Sequence, residues 1–101
     1  MSTRAPRSLQ PIERELLVVA ITEATEVARA AAKILQTGLE VRIPTSAPHD
    51  NLERLSREFG QLAAVETELR RCGIVCGRTR DDMTSHRLAN MRQWLAGGLR
   101  G

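Results

Sequence analysis

The sequence predicts an all-α protein, and three observations support this class. The 101 residues include one Phe, one Trp and no Tyr, so the aromatic side chains that favour β-strands are nearly absent. Ala, Leu, Arg and Glu, which are good helix formers, dominate the composition. Glycines and prolines between positions 38 and 48 and a glycine at 73 separate three long segments. We therefore predict a three-helix chain: long helix, loop, long helix and shorter C-terminal helix.

The first helix is predicted to begin at Pro11 and to end at Thr37-Gly38. Proline is tolerated in the first turn of a helix because its missing N–H group would have no partner there. No Gly or Pro follows until Gly38, and glycine commonly ends a helix.

The second helix is predicted to follow a loop at residues 38–49, with a short extended piece at 39–43. Asp50 is a suitable N-cap residue, and Glu53 three residues later completes a capping-box-like pattern. The helix is predicted to stop at Gly73.

The third helix is predicted to begin near Thr79 and to run through Leu95. The helices are apolar over a wide arc, so we expect partner helices from a second copy of the chain in an oligomeric bundle. The predicted organisation is a flexible basic tail at 1–10, one helical domain at 11–96 and a flexible Gly-rich tail at 97–101.

Composition excludes several classes of protein. No apolar run approaches the roughly 18 residues of a membrane span, and the N-terminus lacks the apolar core of a signal peptide. Cys72 and Cys76 are too few for a disulfide framework and make a poor zinc site. A net charge of +3 does not by itself indicate nucleic acid. We expect a cytoplasmic protein without a membrane partner.

Two acidic residues lie near the apolar face of the first helix. At about 100° per residue, Glu23 falls at the border of that face and Glu26 one step further round, as an i,i+3 pair. Lys33 lies close to Glu26 in angle. The centre of the face is predicted at Ala20, Ala24, Ala28, Ala31 and Leu35.

The second helix carries an acid inside its apolar stripe. Glu58 projects within the stripe and Gln61 lies at its edge. A carboxylate facing a core needs a partner, which can be an Arg such as Arg54, a shared proton or a divalent metal. Oxygen-rich clusters bind Mg²⁺ and leave open positions for phosphate oxygens. The stripe comprises Leu55, Phe59, Leu62, Val65 and Leu69.

These segments resemble the MazG-like all-α nucleoside triphosphate pyrophosphohydrolases, especially the short phage-type members. The family motif EExxE corresponds to TEATE at residues 22–26, and the motif ExxD corresponds to EFGQ at residues 58–61. Further likeness lies in AKILQTG at 32–38, in NLERL at 51–55 and in the basic helix that ends RQWL at 92–95. The resemblance spans roughly residues 12–96.

The resemblance implies a fold and an activity. The implied fold is an oligomeric helical bundle, a homodimer or homotetramer, in which acids hold Mg²⁺ or Mn²⁺. The implied reaction cleaves a nucleoside triphosphate to a monophosphate and pyrophosphate. Residues Glu23, Glu26 and Glu58 match the catalytic and metal-binding acids, and Gln61 matches a metal-binding Asp. Thr22 stands where the family has its first Glu. With these two departures, we expect weakened or altered hydrolysis, in a bacterial or phage-infected cytoplasm.

Cations near the acids would bind the phosphates of the substrate. Lys33 is a candidate, and its alternative is an ion pair with a helix acid. On the third helix, Arg87 and Asn90 fall on one side and are the other substrate-binding candidates.

Two further functions stay open. Because Gln61 replaces an acid, the chain could bind a nucleotide without cleaving it. A small Arg-rich helical protein could instead bind nucleic acid or another protein. Against nucleic acid, the arginines are scattered among acids and form no continuous basic stripe with stacking aromatics.

Overall fold

A computed structural model describes residues 7–95, which form three α-helices. The helices are α1 (Pro11–Thr37), α2 (Asn51–Arg71) and α3 (Gly77–Trp94), and the described residues contain no strand. The prediction of an all-α, three-helix chain is confirmed. Residues 1–6 and 96–101, which include most of both predicted tails, lie outside the described residues.

The first turn of helix α1 contains a buried acidic residue, Glu13. The Glu13 carboxylate accepts a hydrogen bond of 2.8 Å from the backbone N–H of Gln10. It also forms a bidentate pair with Arg7, whose Nη1 and Nη2 donate to Oε1 and Oε2 at 2.9 and 3.1 Å. The hydrogen bonds from Arg7, followed by the one from Gln10, hold the pKa of Glu13 below its ordinary value. At the other end Gly38, with a φ of 109°, donates its N–H to the Ile34 carbonyl and ends the helix.

Helix α2 begins where Asp50 predicts. The Asp50 carboxylate accepts a hydrogen bond of 2.9 Å from the Glu53 backbone N–H, which confirms the N-cap. The Glu53 side chain lies 2.8 Å from Nδ1 of His49. The helix ends at Arg71, shortly before Gly73, whose φ of 79° suits glycine.

The connection between α1 and α2 is irregular but is held by hydrogen bonds. Residues 39–43 do not form a strand; instead the carbonyls of Leu39 and Val41 accept the backbone N–H groups of Leu52 and Asn51, each at 3.0 Å. Asn51 is 1% exposed, and its Nδ2 donates to the Thr37 hydroxyl and to the Gly38 carbonyl, both at 2.8 Å. Asn51 therefore fixes the end of α1 to the start of α2.

Helices α1 and α2 pack against each other as a hairpin. The residues that are buried or half-buried along the contact alternate in spacings of three and four, as in a coiled coil. We call this contact the seam. On α1 it comprises Leu16, Ala20, Glu23, Val27, Ala30 and Ile34, and on α2 it comprises Leu55, Glu58, Leu62, Val65 and Leu69.

The seam corrects the predicted apolar faces. Ala24, Ala28 and Leu35 were expected at the centre of the face of α1, but all three are exposed, Leu35 by 89%. Phe59 on α2 is exposed as well. The reason is that α1 is apolar on two sides, so the alanine-rich side dominates the pattern although the side with Glu23 meets α2.

Helix α3 begins at Gly77, two residues before the predicted start near Thr79. The Thr79 hydroxyl lies inside the first turn and donates to Sγ of Cys76 at 3.3 Å. No residue of α3 is buried. Its link to α2 is made by ion pairs on the surface, in which Arg80 contacts Glu66 and Arg70 contacts Asp81. None of the three described helices has the length and apolarity that a membrane crossing needs.

Candidate active site between the first two helices

Two acidic residues face each other across the seam and share one amide. Glu23 and Glu58 are half-buried on α1 and α2, and Gln61 lies one turn after Glu58. With its amide oriented to satisfy its neighbours, Nε2 of Gln61 donates to Oε2 of Glu58 and to Oε2 of Glu23, each at 3.0 Å. One amide group therefore bridges carboxylates from two helices.

Glu58 holds a proton more tightly than an ordinary glutamate. Burial against the seam raises its pKa most, followed by the negative charge and the hydrogen-bonding contact of Glu23, and then by the charge of Glu26; Arg57 opposes the shift. Arg54, one of the partners considered for Glu58, donates to the Ile43 carbonyl at 3.1 Å. Among residues 7–95, no Arg or Lys forms an ion pair with Glu58.

The side chains of this cluster could hold one hard cation if the Gln61 amide turned over. Its oxygen then takes the place of the nitrogen, 3.0 Å from oxygens of Glu23 and Glu58. Adjacent oxygens in an octahedral Mg²⁺ shell are about 2.9 Å apart, because the Mg–O distance is about 2.0–2.1 Å and the ligands lie at right angles. Mg²⁺ is typically held by one or two carboxylates and completes its shell with water and phosphate oxygens.

Glu26 lies beside this cluster rather than in its centre. Its carboxylate is 4.0 Å from the Arg29 guanidinium, and its charge contributes to the raised pKa of Glu58. In the described part of the chain, no three carboxylate, imidazole or thiol side chains come together as a metal-binding group. The donors that converge are thus two carboxylates and one amide.

A cleft of about 140 Å³ adjoins the acids and contains three cationic side chains. It brings Lys33, predicted to bind substrate, together with Glu26 and Glu58. Arg29 and Arg54 also line it, and the sequence did not identify them as substrate ligands. Each lies within one helical turn of a candidate acid, Arg29 three residues after Glu26 and Arg54 four before Glu58, and this spacing could have indicated them.

The two candidates on α3 do not reach this cleft within one chain. The Arg87 guanidinium stacks 5.0 Å from the centre of the Trp94 ring, and Nδ2 of Asn90 lies 2.9 Å from Nε2 of His86. The residues that line the cleft come from α1 and α2. Arg87 and Asn90 therefore stay predictions that require another copy of the chain.

The cleft combines Glu26 and Glu58 with cationic side chains from both helices, which is an arrangement suited to a metal-bound phosphate chain. Comparisons with protein-family models, curated proteins and solved structures found no match. The function is therefore inferred from the side chains of the cleft and from the motif resemblance.

Proposed function

We propose that the chain is a Mg²⁺-dependent nucleoside triphosphate pyrophosphohydrolase of the MazG-like all-α type. It cleaves a (deoxy)nucleoside triphosphate to the monophosphate and pyrophosphate. One observation carries this proposal: Glu23 and Glu58, from the two segments that resemble the family motifs, meet at Gln61 beside a cleft lined by cations.

In this proposal the acids and the cations have separate tasks. Glu23, Glu58 and Gln61 would hold the cation, with the negative charge of Glu26 beside them, and the cation would supply positive charge to phosphate oxygens and lower the pKa of a bound water. Glu58 would bind the cation as a carboxylate, and because its pKa is raised, cation binding should weaken at a higher pH than it would with an ordinary glutamate. Lys33 and Arg54 would neutralise the charge of the phosphates by charge-assisted hydrogen bonds.

Gln61 is expected to limit the activity. An amide oxygen can coordinate a hard cation but contributes no negative charge, so three carboxylates remain of the four metal-binding acids that the family resemblance implies. We therefore expect weaker metal binding and slower hydrolysis than an acid at this position would support.

A second copy of the chain is part of the proposal. Val18, Ile21 and Leu35 lie on the side of α1 away from the seam and are 62%, 68% and 89% exposed, and Phe59 on α2 is 54% exposed. Helix α3 buries none of its residues in the single chain. These apolar surfaces support a homodimer or homotetramer, in which α3 of a second copy could bring Arg87 and Asn90 to the cleft.

Pyrophosphate release tests the proposed activity directly. The purified chain is assayed with Mg²⁺ over a panel of canonical and modified nucleoside triphosphates. Release with at least one substrate, lost in Glu58→Ala and retained in the exposed-loop control Glu40→Ala, is the expected result. Equal release by both variants would contradict the assignment of Glu58.

A nucleotide-binding protein without catalysis is the second candidate, and Gln61 favours it. It predicts nucleotide binding that depends on Lys33 without pyrophosphate release from any substrate. Nucleic-acid binding is less well supported, because arginines such as Arg70, Arg71 and Arg80 are already paired with acids. Salt-sensitive retention of DNA without an effect of nucleotide would favour it.

A further inference from the structure

Arg54 connects the cleft to the loop between α1 and α2. Its side chain lines the cleft beside Glu58, and its Nη2 donates to the carbonyl of Ile43 in the loop at 3.1 Å. A guanidinium has five N–H donors, so this bond leaves donors for another partner. No acid in residues 7–95 lies within ion-pair distance of Arg54, so its charge is not neutralised by a carboxylate.

The loop is attached to the same turn of α2 that carries Arg54. The carbonyls of Leu39 and Val41 accept the N–H groups of Leu52 and Asn51. Backbone bonds thus join Leu39 and Val41 to this turn, whereas the bond to Ile43 depends on the Arg54 side chain. The position of Arg54 consequently affects how firmly residues near Ile43 are held.

The cleft suits an extended anion with several charges. Lys33 from α1 and Arg54 from α2 line it from two helices, and neither is paired with an acid among the described residues. Arg29 adds a third cation, which lies 4.0 Å from Glu26. Separate cations on two helices match a di- or triphosphate group better than a single carboxylate, because its charge is spread over several oxygens.

We infer that this cleft binds a polyphosphate group and that Arg54 transmits its binding to the loop at 38–50. The Arg54 guanidinium holds a phosphate oxygen and the Ile43 carbonyl at the same time. A bound phosphate restricts the rotamers of Arg54, and the restricted side chain keeps its bond to Ile43. The loop therefore opens less often when the cleft is filled. The choice of ligand class rests on the proposed function.

Pyrophosphate is the probe, used in Mg²⁺ buffer with the full chain. Its affinity is measured by titration calorimetry, and opening of the loop is measured by hydrogen exchange of the peptides that cover residues 38–50. The variants are Arg54→Gln, Arg54→Lys and the control Arg78→Gln, which changes an exposed arginine of α3 outside the cleft. Circular dichroism verifies that each variant is helical.

In the wild-type chain, pyrophosphate is expected to bind and to slow exchange in the loop. Arg54→Gln weakens pyrophosphate binding about tenfold, the effect of losing one hydrogen bond to a charged group, and removes the slowing. Arg54→Lys keeps the charge but not the forked donor group, so it retains more binding and still loses the slowing. Arg78→Gln behaves as wild type.

Three results with pyrophosphate would overturn the inference: no binding by the wild-type chain, no slowing of loop exchange on binding, or wild-type slowing in Arg54→Gln. A second arm compares tripolyphosphate with a nucleoside triphosphate to separate inorganic from nucleotide sources. If tripolyphosphate and the nucleoside triphosphate slow loop exchange equally, the phosphates alone are recognised, as the inference states. If the nucleotide slows exchange and tripolyphosphate does not, the inference is overturned. If pyrophosphate binds as described but no nucleotide is cleaved, the inference stands and the proposed hydrolase activity fails.

Discussion

The contact between α1 and α2 and the contact between α2 and α3 use charged residues in opposite ways. Between α2 and α3, each acid meets an arginine: Glu66 meets Arg80 and Asp81 meets Arg70. Between α1 and α2, Glu23 and Glu58 meet each other through the amide of Gln61.

We interpret this difference as one between a structural contact and a proposed functional one. Paired charges at a surface link two helices and need nothing else. The half-buried carboxylates of Glu23 and Glu58 repel each other, and this repulsion helps to raise the pKa of Glu58. Their placement at one amide is therefore not explained by a gain in stability. Such a local conflict is typical of sites that bind something.

The largest expected effect is on the rate of pyrophosphate release, when an acid between α1 and α2 loses its charge. The same change in an acid between α2 and α3 is the control. Glu58→Gln should reduce Mg²⁺-dependent pyrophosphate release by roughly 100-fold or more, because one ligand charge disappears. Glu66→Gln removes the ion pair with Arg80 and should leave the rate near wild type. The comparison breaks if both variants lose activity equally, which a steady-state assay at matched helix content would reveal.

The next largest effect is on the free energy of unfolding, and it compares an asparagine of the α1–α2 hairpin with one on α3. Asn51→Ala leaves Thr37 and Gly38 without their buried donor and should lower the free energy of unfolding by about 1–3 kcal/mol. Asn90→Ala on α3 removes only a contact with His86 and should change it much less. Urea unfolding monitored by circular dichroism measures both. A similar midpoint for the two variants would show that Asn51 does not hold the hairpin together.

A smaller effect is expected from an acid at position 61. Gln61→Asp places a third carboxylate at the cluster and should tighten Mn²⁺ binding about tenfold, since one more charge in contact contributes on the order of 1–4 kcal/mol. The same change removes the bridging amide, so the metal-free chain should unfold at a lower temperature. Gln93→Asp, on the exposed surface of α3, is the matched control. Calorimetric titration with unchanged affinity would argue against Gln61 as a ligand.

The smallest expected effect is on the pH dependence of folding stability in the metal-free chain, where Glu13 and Glu58 should act in opposite directions. The pKa of Glu13 is lowered by Arg7, so its contribution to stability is present above the unfolded pKa and is lost as pH falls through the folded pKa. The pKa of Glu58 is raised, so its contribution is full below the unfolded pKa and is lost as pH rises through the folded pKa.

Glu13→Gln should therefore be less stable than wild type near neutral pH, and Glu58→Gln should be more stable there. Both differences should shrink in acid, below the ordinary pKa of glutamate. Thermal unfolding between acidic and neutral pH in the presence of a chelator measures them. Parallel curves for the two variants would show that the two carboxylates have similar surroundings.

Local signals in the sequence predicted the helices well. Pro11 and Gly38 bound α1, and Asp50 caps α2, because these residues act through their own backbone and the next turn. The predicted start of α3 was two residues late. Thr79 matched a capping pattern, but it lies inside the helix and its hydroxyl donates to Cys76.

The site was only partly predictable, because it depends on which side of α1 meets α2. Glu58 was placed correctly inside a stripe, but Glu23 was placed at a border and lies in the seam itself. Periodicity could not choose between two apolar sides of one helix. Arg29 and Arg54 were missed as cleft residues for the same reason, since a cleft between helices appears only once their packing is known.

Binding of Mn²⁺ tests the central claim, that Glu23 and Glu58 form a metal site at Gln61, most directly. Titration calorimetry is carried out on the wild-type chain, on Glu23→Gln and Glu58→Gln, and on Glu66→Gln from the other contact. We predict binding by the wild type and by Glu66→Gln, and its loss in both seam variants. Absence of binding by the wild type, or equal binding by all four chains, would contradict the claim.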